Sequence, residues 1–184
     1  MRRWMLSLMA VAAVLVAVSS LWPASAQSAG AVPWGSWAWR THLAPTASLP
    51  ALVTFHADGT VTGSDGLMFG GLPGSPTRMS PIHGVWEHTG RHSIGGTSLY
   101  LVFDAPSGVL IAIGRARSSL HFVTDFDHLQ GRMFLESLPC PSPVACPDPL
   151  AEDAGWISYP GMPPDGFAVS ATRVHRVPAG PLVP

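Results

Sequence analysis

The stretch from residue 82 to residue 138 constrains the fold more than any other part of the chain. It is a train of short apolar runs with polar side chains interleaved, each ended by Gly, Pro or Asp. A period of two places successive side chains on opposite faces of a strand, and the residues at each break are those that reverse a chain. Such a stretch folds as a meander of antiparallel strands. No segment of useful length carries a helical period. Closure of the meander on itself removes its exposed edges. The expectation is an all-β fold, a single antiparallel β-barrel of about eight to ten strands.

The flanking segments fit that plan. In Gly35-Ser36-Trp37-Ala38-Trp39 both indoles fall on one face, as a first strand requires. Leu52-Val53-Thr54-Phe55 and Thr60-Val61-Thr62 form a hairpin around Asp58-Gly59, a strong turn signal. Residues 65–81 contain four Gly and three Pro, with Leu67, Met68 and Phe69 among them, and predict a long apolar loop, a candidate gate across a barrel mouth. Residues 85–94 predict two arms turning near Thr89-Gly90, and residues 98–103 a central strand. Residues 109–117 predict a strand with Val109, Ile111 and Ile113 on one face. A separate run follows with Leu120, Phe122 and Thr124. Residues 139–164 are a Pro-rich excursion, and residues 167–177 alternate again as a closing strand that pairs with the first.

The N-terminus carries an address. Arg2 and Arg3 precede an apolar run from Leu6 to Leu21, and Ala24-Ser25-Ala26 is a small-x-small cleavage site. Residues 1–26 are expected to be a cleaved signal peptide, followed by a leader over 27–33, a barrel domain over 34–177 and a tail over 178–184. The protein is expected to be secreted or held in a bacterial cell-envelope compartment. No second long apolar run follows, so no membrane-spanning segment is expected after cleavage. Cys140 and Cys146 are the two cysteines, and in an oxidising compartment they read as one disulfide. The chain has no Lys and a formal charge of −1, which is no footprint for nucleic acid.

Gly35-Ser36-Trp37 resembles the Gly-x-Trp opening of the lipocalin and wider calycin barrels. Residues 54–61 and 83–86 are similar to parts of secreted bacterial barrel proteins of undefined function. The resemblance implies that Trp37 plugs one barrel end and that an Arg near the last strand, Arg173 or Arg176, packs over it as a cation–π pair. It further implies an interior that takes a small, largely apolar ligand. Trp37, Phe55, Trp86, Tyr100 and Phe122 are the expected lining, and no cofactor is expected.

Two other readings come from the residues alone. His83-Gly84-Val85-Trp86-Glu87-His88 is the densest polar and aromatic cluster, so His83, Glu87 and His88 are candidates for acid–base catalysis in an isomerase, cyclase or dehydratase. That reading requires a His and a carboxylate to converge inside the cavity. His83, His88 and His92 would be the set for a metal, but no acidic ligand accompanies them and no metal is expected. Arg115 and Arg117 share a face with Ile111 and Ile113; turned inward they would meet an anionic ligand, turned outward they end a solvated strand. Asp125-x-Asp127 reads as a turn, lacking the distal Glu of a calcium loop. The third reading is an extracellular interaction or inhibitor module using the disulfide loop and residues 65–81.

Overall fold

A computed structural model describes residues 32–68, 74–123 and 125–175. The expected signal peptide, the tail, Phe69, Thr124 and Arg176 lie outside the described residues. Ten strands follow one another: β1 Gly35–Ala44, β2 Ala47–Phe55, β3 Thr60–Asp65, β4 Thr77–Met79, β5 Ile82–Gly90, β6 Ser93–Asp104, β7 Leu110–Phe122, β8 His128–Pro139, β9 Ile157–Ser158 and β10 Phe167–Arg173. No helix occurs among the described residues, and hence none long and apolar enough to cross a membrane.

Eight strands close an antiparallel barrel in the order β1-β2-β3-β5-β6-β7-β8-β10, with β10 returning to β1 through pairs such as Trp37 with Arg173 and Thr41 with Val169. The two short strands continue their neighbours past interruptions. β4 pairs the far end of β6, in line with β5, and Ser80-Pro81 separates the two. Pro81 has no N–H to give the ladder. Ser80 bridges the break, its N–H donating to the Leu101 carbonyl and its hydroxyl accepting the Leu101 N–H, both at 2.9 Å. β9 likewise continues β10 along β8. Residues 77–79, expected in a loop, are therefore a strand of the sheet. The two runs expected over residues 109–124 are one strand of 13 residues.

Glycine permits the coiling that closure demands. A Cβ on Gly84 would lie 2.1 Å from the Thr97 carbonyl oxygen, and one on Gly131 would lie 2.0 Å from that of Ser119. At both points the neighbouring backbone occupies the space of a side chain, as at tight barrel corners.

The two ends of the barrel differ. At one end the connections are short, over residues 56–59, 91–92 and 123–127. The other end carries the β3–β4 segment and the excursion between β8 and β9. In that excursion the Cys140–Cys146 disulfide closes a small loop, and Trp156 is laid over the Arg115 guanidinium, 4.1 Å from ring centre to Cζ.

Candidate functional site: a cavity in the open half of the barrel

The short-looped end is solid. Trp37 is completely buried, and its ring packs 6.1 Å from Phe122. Phe55 meets Trp86 edge-on at the same separation, and Phe126 continues the cluster from Phe122. The two indole N–H groups are satisfied by backbone: Trp37 donates to the Pro33 carbonyl at 2.7 Å and Trp86 to that of His56 at 2.9 Å. Arg173 covers this end. Its guanidinium lies 4.5 Å from the Trp37 ring centre and donates to the carbonyls of Val32, Trp34 and Phe126 and to the Asp127 carboxylate. Gly35 is the one residue of Gly-x-Trp with positive φ, 112°, which bends the chain so that Val32 and Trp34 face that guanidinium. The Asp125–Asp127 turn belongs to the same closure: Asp125 accepts from the Asp127 N–H and from His128, while Asp127 holds Arg173 and His175.

An eight-stranded barrel has an interior just wide enough for side chains to fill. Whether it is solid or hollow is therefore set by inward-facing side-chain size. Along β6 and β7 that size changes abruptly. Ile94 opposite Leu120 fills the solid end, and both are almost completely buried. The next inward pairs are Gly96 with Ser118 and Ser98 with Ala116, followed by Tyr100 with Gly114 and Val102 with Ala112. Tyr100 fits only because Gly114 lacks a side chain: a Cβ there would lie 2.0 Å from the Tyr100 ring. The small residues leave a cavity of about 340 Å³. Its floor is Trp39, Val53, Phe55 and Val61; Met133, Leu135 and Phe167 form the far wall; Leu43, Leu49, Leu67, Met79 and Tyr159 stand towards the mouth.

Polar groups in the wall are few. Thr41 and Ser98 are buried, and Thr41 accepts the Trp39 indole N–H at 3.2 Å. Tyr100 has its phenol pushed up by burial, then by the charges of Asp65 and Tyr159, so it stays protonated. Asp65 brings a carboxylate to the cavity, whereas Glu136 stands opposite Arg115 on the row whose side chains face outward. Burial pushes Asp65 up, outweighing backbone hydrogen bonds from Leu67 and Met68. Burial acts on Glu136 in the same direction, but the Arg115 and Arg117 guanidinium groups, donating at 2.8 and 2.9 Å, outweigh it and hold the carboxyl below its ordinary value.

The residues singled out from sequence are placed as follows. Phe55 and Tyr100 line the cavity, whereas Trp37, Trp86 and Phe122 pack the solid end. His83 and Glu87 are exposed and point outward from β5, and His88 is exposed with its ring edge against Trp86 at 5.4 Å. All eight histidines are exposed, and none lines the cavity. His83, Glu87 and His88 therefore do not converge inside the barrel. His92 stacks on Phe126. Among the described residues no three His, Cys, Asp or Glu side chains are grouped to hold a metal ion. Arg115 and Arg117 point outward, share Glu136 and do not line the cavity, nor does Ile113; Ile111, at the irregularity where Val102 and Phe103 pair Ala112 and Leu110, does line it. The residues missed from sequence are the small ones, whose signal was present: counting back by twos from Phe122 and Leu120 gives Ser118, Ala116, Gly114 and Ala112. Comparison with known proteins returned no matching family model, no matching curated protein and no matching solved structure.

Proposed function

We propose that this is an exported protein whose barrel holds a small, largely apolar molecule in its open half. The observation that carries this reading is the change from Ile94–Leu120 to Gly96–Ser118 and Ser98–Ala116 along one pair of strands. An eight-stranded barrel is narrow enough for ordinary side chains to fill, and larger apolar residues at those positions would do so, as Ile94 and Leu120 do at the other end. Pockets that bind small molecules have this size, this apolar lining and a few oriented polar groups. Export is supported by the charged and apolar N-terminal segment with its cleavage site, and by the Cys140–Cys146 disulfide, a bond that persists in oxidising compartments. The acid–base enzyme reading gains nothing from the geometry, because no histidine faces the cavity.

The test is native mass spectrometry of the protein purified from its own host, followed by gentle denaturation. A stoichiometric adduct that is released as an apolar organic molecule is the expected result. A bare polypeptide, together with failure of the purified protein to bind any apolar probe, would overturn the reading.

A further inference from the structure

We propose that the cavity selects an apolar molecule bearing a protonated amine, with the amine held at Asp65 and carboxylate-headed molecules excluded. This rests on the binding reading above and goes beyond it by naming the ligand class. The inference comes from the charges in the wall. Asp65 ends β3 on the inward face, since it pairs with Ala51 in the row that continues to Val53 and Phe55. It is the one carboxylate on an inward row of the lining among the described residues, for Glu136 faces outward to Arg115 and Arg117. No Arg or His lines the cavity among the described residues, and the chain contains no Lys. A carboxylate head would thus meet like charge in an apolar wall with nothing to offset it.

An ammonium head meets the opposite situation. Asp65 takes the Leu67 N–H at Oδ1 at 2.8 Å and its charged form is also favoured by the Met68 N–H, and a carboxylate with two oxygens keeps acceptor capacity beyond these two. The Tyr100 phenol is near enough to feel the charges of Asp65 and Tyr159, and Thr77 also lines the cavity, so hydroxyl oxygens accompany the carboxylate. Such oxygens accept the remaining ammonium protons. The alkyl part would then run down between Ala116, Ser98 and Phe55. The competing role for Asp65 is to cap the turn after β3 and nothing more. Asp65→Asn separates the two, because an amide oxygen can still accept the Leu67 N–H while the charge is gone.

The experiment is a competition titration of octylamine, octanol and octanoate against the neutral dye N-phenyl-1-naphthylamine, on the protein and on Asp65→Asn. Octylamine is expected to bind at least about tenfold more tightly than octanoate, the scale of one unscreened charge contact. In Asp65→Asn that preference should fall to about threefold or less, with octanol unchanged. Octanoate binding as tightly as octylamine would overturn the amine assignment while leaving an apolar site in place. An amine preference that survives in Asp65→Asn would overturn the role of Asp65. No binding by the dye or by any octyl compound would overturn the cavity reading itself.

Discussion

The solid and the open half of this barrel are built on the same strands, yet they are opposite answers to the same packing problem. At the solid end Trp37, Phe122, Ile94, Leu120 and Leu129 fill the interior, the Trp37 and Trp86 indole N–H groups each have a carbonyl, and Arg173 ties four carbonyl or carboxylate groups across the opening. In the open half, six of the eight inward positions of β6 and β7 from Gly96 to Val102 and from Ala112 to Ser118 are Gly, Ala or Ser, and polar groups are sparse. Strand pairing alone does not decide which half is hollow. Side-chain volume on the inward row does, and it separates the part of the molecule that maintains the fold from the part that can take a guest. The longer connections emerge beside the cavity, where a rigid scaffold ordinarily presents its variable segments.

The largest effect is expected at the solid end. Trp37→Ala should remove about 3–5 kcal/mol of stability, read as the shift in urea midpoint, because a fully buried indole leaves a hole its neighbours cannot fill. If it were no more costly than a change in the open half, the division drawn here would be wrong. Next comes Gly114→Ala, where the new methyl must displace the Tyr100 ring. A loss of about 1–3 kcal/mol is expected, together with weaker binding as the ring swings into the cavity.

Two carboxylates, Asp65 on the inward row and Glu136 on the outward one, sharpen the comparison because their shifts have opposite signs. Glu136 is held below the ordinary value of 4.5 by its two arginines, against the upward push of burial, so its contribution is present above that value and is lost as pH falls through the depressed one. Glu136→Gln should therefore lose about 1 kcal/mol at neutral pH, discounted for the exposure of Arg117, and nothing in acid. Asp65 is raised by burial, so its charge opposes folding above the raised value and ceases to do so below the ordinary 3.8. Asp65→Asn should gain about 0.5 kcal/mol at neutral pH, and the gain should vanish in acid. Paired urea melts at two pH values read both signs. The smallest effect on stability is expected for Ala116→Leu, less than about 0.5 kcal/mol either way, because the added side chain enters open space.

Much of the architecture was legible in the residues. The period of two, the Asp58-Gly59 hairpin and the return of residues 167–173 onto the first strand all depend on local alternation and turn chemistry. The Arg173–Trp37 stack follows from the Gly-x-Trp resemblance. The cavity was harder to see, for a physical reason. Large aromatic residues suggest a binding site, but in a narrow barrel they are what fills it, and Trp37, Trp86 and Phe122 do so. The site is written in absences, at Gly96, Gly114 and Ala116. Those become readable only when β7 is recognised as one strand, because a break near residue 118 loses the parity that links Ala112 to Phe122. Nor does sequence spacing reveal that Glu136 on β8 sits opposite Arg115 on β7.

The account stands most directly on one titration. N-phenyl-1-naphthylamine added to the protein and to Ala116→Leu, followed by fluorescence, asks whether the open half is a site. Saturable one-to-one binding to the protein, weakened at least about tenfold in Ala116→Leu while the urea midpoint holds, is the predicted result. Equal binding to both proteins, or none to either, would contradict the assignment of the cavity as the place where a ligand is held.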